Sequence, residues 1–210
     1  MKDILIIGAA SPDILKLIDC INKYKKQYKI IGFLERDVNL IGKRIHDYQV
    51  LGTDELLLTD FKNYSVINNV LGTTKIRDTV TKRLKEELYV GEFPNIIHPL
   101  IDCNYTIIGE GNIIYESQLG ADVKIGNFNI MYYGSIIGHE AIIGDCNLIA
   151  ANTLIGARTI IGNRVYISNS STVSLGINIC DDVFIGVGSV VVKSIKRPKK
   201  VFGNPAKEIY

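Results

Sequence analysis

Only three histidines occur in the chain, His46, His98 and His139, and one of them stands beside a carboxylate. His139 lies in Ile136-Ile137-Gly138-His139-Glu140-Ala141. Neutral imidazole accepts a proton near neutral pH, and an adjacent carboxylate fixes its tautomer and stabilises the imidazolium that forms. The pair therefore suits a general base acting on an amine or hydroxyl nucleophile. The same two residue types also fit a solvated pair on an exposed turn. His46 sits in a polar, hairpin-like stretch, and His98 precedes Pro99. The cysteines, Cys20, Cys103, Cys146 and Cys180, have no C-x-x-C spacing. That pattern speaks against a metal site or a disulfide frame and for free thiols in a cytoplasmic protein.

What must hold His139 in place is a repeat. In steps of six, aliphatic residues or Met run from Ile101 through Ile107, Ile113, Leu119, Ile125 and Met131 to Val191, read as one unbroken phase. Gly often follows, as at Gly120, Gly126, Gly138, Gly144, Gly156, Gly162 and Gly186, and a small or β-branched residue often stands four places on. Period six is neither helical nor a simple strand alternation. It predicts a β-helix of hexapeptide units, each a short strand and a turn, with the aliphatic side chain pointing inward. One unit cannot bury its side chain alone; stacked coils bury a continuous column.

The first half reads differently. Ile4–Ile7 is predicted as a buried strand, Gly8-Ala9-Ala10-Ser11-Pro12 as a turn, residues 13–25 as a helix and Tyr28–Leu34 as a second strand, which together make a βαβ unit. A small-residue turn before a helix can present N–H groups to a phosphate, but the single Gly here falls short of a dinucleotide fingerprint. A short helix is expected over residues 53–58, a strand over 64–71, a charged helix over 78–87, and a crossing into the repeat near residues 90–100.

The 210 residues suffice for one large domain or two modest ones with ample core. Hydrophobic residues make up 47% and the net charge is +2, which gives no case for nucleic acid or an anionic membrane as partner. The apolar runs are too short for a membrane span, and the amino terminus lacks the pattern of a signal peptide.

The repeat resembles the left-handed β-helix of hexapeptide acyltransferases, and Phe202-Gly203-Asn204-Pro205-Ala206-Lys207 resembles the G-x-P-A-K/R tail of that superfamily. Gly32-Phe33-Leu34-Glu35-Arg36-Asp37, followed by Tyr48-Gln49-Val50-Leu51-Gly52, resembles the amino-terminal domain of nucleotide-sugar acetyltransferases. That family includes sialic acid O-acetyltransferases and the N-acetyltransferases of bacillosamine precursors and of perosamine.

The resemblance implies an α/β, Rossmann-like nucleotide-sugar-binding domain over residues 1–92 and a left-handed parallel β-helix acetyltransferase domain with its tail over 93–210. It implies transfer of acetyl from acetyl-CoA, without a metal, to a nucleotide-linked amino sugar such as a 4-amino-4,6-dideoxy sugar for a bacterial surface glycan. O-acetylation of a sialic-type sugar is the runner-up, and a non-catalytic solenoid that binds nucleotide-sugar is the alternative of another class. Matched to the family's I-x-H-E segment, His139 becomes the general base and Glu140 its orienting carboxylate.

In that β-helix three hexapeptides make a coil, so stacked positions lie about 18 residues apart. Ala157 then stands over His139, and Gly156-Ala157 is small enough to admit a thioester to an N–H that would hold the oxyanion. Gly186, Val187 and Gly188 are expected to give backbone contacts to CoA, with Lys199 and Lys200 beside its phosphates. Gly8, Ala9, Ala10, Glu35, Asp37, Gly72, Arg77 and Tyr132 are the nucleotide-sugar candidates. The family's first turn reads G-A-x-G-H, and here Ser11-Pro12 replaces its Gly-His. A homotrimer is expected, with three flat-faced prisms around one axis and no nucleic acid partner.

Overall fold

The computed structural model describes residues 1–88 and 91–209. It divides into two compact units, Met1–Pro99 and Leu100–Tyr210. The ranges expected from sequence, 1–92 and 93–210, include Tyr89, Val90 and Tyr210, which lie outside the described residues.

The first unit is α/β. Strands β1 (Lys2–Ile7), β2 (Tyr28–Leu34), β3 (Arg44–Ile45), β4 (Tyr48–Gly52) and β5 (Ser65–Asn68) form one sheet in the order β3-β4-β2-β1-β5. The pairs β1–β2, β1–β5 and β2–β4 are parallel, and β3–β4 is an antiparallel hairpin. Continuous apolar runs such as Ile4-Leu5-Ile6-Ile7 suit strands buried on both faces.

Helix α1 (Asp13–Tyr24) buries Ile14, Leu15, Leu17, Ile18 and Ile21, the spacing of one helical face. The charged helix starts earlier than expected. As α2 (Thr74–Arg83) it is capped by Thr73, whose side chain accepts the N–H of Ile76, and it ends in a π-turn over Leu84–Leu88. The helix expected over residues 53–58 is a 3-10 turn, Asp54–Leu58. Among the described residues no helix is long and apolar enough to cross a membrane.

The second unit is a left-handed parallel β-helix. Two-residue strands stack into three sheets that form the faces of a prism. One face carries Ile136–Ile137 and Leu154–Ile155, the next Ile142–Ile143 and Ile160–Ile161, and the third Ile130–Met131 and Leu148–Ile149. Every sixth residue from Ile125 to Val191 is buried, and each such side chain contributes roughly 1.5–3 kcal/mol by leaving water. The small residues four places on, among them Ser135, Ala141, Thr153, Thr159 and Ser171, are buried too.

The phase is not unbroken. Lys124 opposes Ile107 and Ile130 opposes Ile113, offsets of 17, whereas Ile136 opposes Gln118, an offset of 18. Between Ile114 and Leu119 the turn is one residue short. Ile108 and Ile114 therefore align with the inward Ile125 and Met131, and Ile107 turns out, 65% exposed. The doublets Ile107-Ile108 and Ile113-Ile114 fit either phase, which conceals the slip in the sequence.

Candidate active site

His139 is at the corner between the strands Ile136–Ile137 and Ile142–Ile143. Three consecutive residues make the corner, Gly138, His139 and Glu140. Gly138 is needed for contact with the next coil: a Cβ there would lie 2.5 Å from the Ala157 nitrogen. Glu140 takes φ 57°, the left-handed conformation that reverses the chain. The coils lock above and below, with the Glu140 N–H on the Ala121 carbonyl and the Arg158 N–H on the His139 carbonyl, both at 2.9 Å.

The side chains make a short relay. His139 Nδ1 lies 2.9 Å from Glu140 Oε2, and Arg158 Nε lies 2.8 Å from that same oxygen. The hydrogen bond from His139 holds the Glu140 carboxyl below its ordinary range, and the Arg158 charge adds to the effect while desolvation opposes it. An ionised Glu140 can only accept, so Nδ1 carries the imidazole proton and Nε2 presents its lone pair outward. All three side chains are exposed in the single chain.

The backbone at this corner is open. Among the described residues no acceptor meets the N–H of Ala157, one coil beyond His139. The next corner along the chain is closed: the Asn127 N–H donates to Asp145 Oδ1, Asp145 to Asn163 and Asn163 to Asp181, at 2.6, 2.7 and 2.9 Å. Leu175, one coil beyond Ala157, stands where that ladder carries an Asx residue, so the Ala157 N–H keeps a vacant position for an oxygen with developing charge.

The other second-unit candidates lie elsewhere on the β-helix. Gly186, Val187 and Gly188 form the corner that precedes Val190–Val191, on the opposite edge of the face whose far edge carries His139. The N–H of Gly186 is bonded to Val201, its carbonyl accepts from Ser171 and Ser189, and the Gly188 N–H is bonded to Asn169. Val187 is exposed. Lys199 is 3.6 Å from Glu208 and lines a cavity of about 420 Å³ together with Lys193 and Lys207, and Lys200 is exposed. Tyr132 is half-buried and stacks on buried Tyr115, with centroids 5.0 Å apart.

Asn147, which follows the next corner along the chain, is wholly buried in a ladder with Asn112 and Asn129. Arg158 was missed altogether. Its signal was the charge opposite to Glu140 one coil further on.

In the first unit the structure draws part of the expected set together at the carboxyl ends of the strands. The Ala9 N–H donates to Glu35 Oε2 at 2.9 Å, and Gly8, with φ 93°, passes so close to Val70 that a Cβ would lie 3.0 Å from its nitrogen. Ala10 and Gly72 are exposed nearby in the chain turns after β1 and β5. Asp37 instead accepts the backbone and side-chain N–H of Asn39. Arg77 has a structural post: it is 1% exposed, with Nη1 on the carbonyls of Asn68 (2.7 Å) and Val70 (3.1 Å) at the end of β5.

No family model matches the chain, and no curated protein matches it. Solved structures do. The acetyltransferase domain of PglB from Neisseria gonorrhoeae FA1090, in complex with acetyl coenzyme A, superposes with TM-score 0.86 at 22% identity, over 99% of each chain. The histidine-to-asparagine variant of perosamine N-acetyltransferase from Caulobacter crescentus, in complex with CoA and GDP-perosamine, gives TM-score 0.86 at 19% identity, over 100% of this chain and 98% of that one. WeeI from Acinetobacter baumannii AYE gives 0.70 at 20% identity over the whole of both chains. At these identities the likeness establishes a shared fold over both units.

Proposed function

We propose that the protein transfers acetyl from acetyl-CoA to the amine of a nucleotide-linked amino sugar, with His139 as general base. One observation carries the reading: an imidazole with Nδ1 held by a carboxylate shares a β-helix corner with an N–H, one coil on, that meets no acceptor among the described residues. The amine nitrogen attacks the thioester carbonyl and loses its proton to His139 Nε2. The oxyanion forms at the Ala157 N–H. The carbon–sulfur bond then breaks, and the CoA thiolate takes the proton from the imidazolium. Residues 93–210 carry this chemistry and residues 1–92 bind the nucleotide. The neighbours of the same fold support the two substrates, since their complexes hold acetyl-CoA, CoA and GDP-perosamine.

Glu35 bears on how the nucleotide is read. Its carboxylate already occupies the Ala9 N–H, the donor that a diphosphate at this turn would use. The turn therefore suits hydroxyl or N–H donors of a nucleoside, and the phosphates are held elsewhere. Ser11-Pro12 in place of Gly-His is consistent with such a change.

The assembly is a homotrimer in the cytoplasm. The exposed aliphatics Ile136 and Leu154 on one face and Ile142 and Ile160 on the next flank the His139 corner, and rows of this kind are surfaces that a second copy would cover. Release of CoA thiol, measured against a panel of UDP-, GDP- and dTDP-linked amino sugars, tests the reading. Acceptor-dependent release with at least one supports it, and no release with any of them contradicts it.

A further inference from the structure

We infer that Arg158 is a positioning residue that clamps Glu140 and thereby sets the tautomer and the electrostatic surroundings of His139, an inference that rests on the acetyl-transfer reading. Glu140 and Arg158 hold the same corner position in successive coils, both with φ 57°. Their backbones are thus about one coil spacing apart, roughly 4.8 Å. A glutamate on an exposed corner would sample several rotamers. Here one oxygen, Oε2, is fixed by two donors, Arg158 Nε at 2.8 Å and His139 Nδ1 at 2.9 Å.

The neighbouring corner has a comparable pair with a different outcome. Arg164 and Asp182 meet through two parallel bonds at 3.0 Å, from Nε to Oδ1 and from Nη2 to Oδ2. That fork engages both oxygens of one carboxylate, and Nη2 also reaches Asp181 Oδ2 at 3.3 Å. Arg158 instead uses its Nε on the oxygen that also receives the imidazole, which joins the guanidinium to His139 through one atom.

The electrostatic consequence has a definite sign. Glu140 favours the imidazolium, and Arg158 offsets that pull. The other charged side chains near this level are Asp122, in the Glu140 column one coil earlier, and Lys124, in the Ile142 column one coil earlier. The positions stacked on His139 are Ala121, Ala157 and Leu175, all uncharged. Arg158 is thus the cation in direct contact with the His139–Glu140 pair. It holds the carboxylate with which Glu140 fixes the His139 tautomer.

The test is imidazole NMR on the full-length protein without substrates, at low salt, for wild type, Arg158→Gln and Arg158→Lys. His46 and His98 serve as internal references. Arg158→Gln is expected to raise the His139 midpoint by about 0.2–0.7 pH unit, the size set by exposed ion pairs, and to lower the share of the Nδ1–H tautomer. Arg158→Lys keeps the midpoint near wild type but not the tautomer share, because an ammonium restores the charge and not the Nε geometry. An unchanged midpoint and an unchanged tautomer in Arg158→Gln overturn the inference. If both move while the acid limb of acetyl transfer stays where it was, Arg158 does position His139, and the assignment of His139 as the base fails instead.

Discussion

At the corner of Asn127, Asp145 and Asn163, each second-position N–H donates to the side-chain oxygen of the residue one coil on. At the corner of His139 and Ala157 the backbone turns in the same way, with a glycine first and a left-handed residue third. Yet there the second position holds Ala157 and Leu175 in place of Asx, and among the described residues the Ala157 N–H has no acceptor. A stacked β-helix supplies the same donors at each of these corners. What separates a structural corner from one able to hold an oxyanion is whether the side chain 18 residues later brings an oxygen. Placing a tethered base beside the open donors turns a repeat into a candidate active site.

The comparison can be broken from the open side first. Leu175→Asn would import the closed corner's oxygen and cap the Ala157 N–H, as Asn163 caps Asp145. Leu175 is exposed, so the change leaves no cavity. The expected result is a fall in kcat of about 10²–10³, the range for losing one oxyanion donor, with the melting temperature held or slightly raised. Steady-state kinetics alongside calorimetry reads both.

The relay comes next. Glu140→Gln should slow transfer by less than loss of the base, since an amide orients the ring without its charge. The pH sign follows from the lowered Glu140 pKa. A depressed folded-state pKa gives stability that is present above the unfolded value and lost as pH falls through the folded one. The difference in melting temperature between wild type and Glu140→Gln should therefore be small near neutral pH and vanish in acid, below the ordinary carboxylate range. A difference that grows on acidification would contradict the geometry.

The smallest effect belongs to the closed corner. Asn163→Ala removes the acceptor of the Asp145 N–H at 2.7 Å. It should cost about 0.5–1.5 kcal/mol of stability, the net value of such a bond, and leave kcat unchanged. Denaturant unfolding and the thiol assay measure the two. A large loss of kcat here would erase the distinction between the corners.

Much of this was legible in the residues. Period six fixed the β-helix because every sixth side chain must fill one narrow column, and Ala157 could be placed over His139 by counting coils. The Asx ladder and the Glu140–Arg158 pair were also written at that spacing, but opposite charges 18 apart mean little until the coil length is known. The short turn after Ile114 was hidden because paired isoleucines satisfy two phases. Arg77 misled for another reason: an arginine after a glycine turn looks available to a phosphate, and only the packed sheet shows its guanidinium buried on the carbonyls of Asn68 and Val70.

The central claim, that acetyl transfer takes place at the open corner, is tested most directly by His139→Ala. The measurement is single-turnover transfer of labelled acetyl from CoA to the amine acceptor, with wild type and variant matched for assembly and melting temperature. His139 points away from the buried column, so the variant should fold as the wild type does. The account predicts a rate lower by roughly 10²–10⁴, the range for losing a general base. A His139→Ala protein that transfers acetyl at the wild-type rate would contradict it.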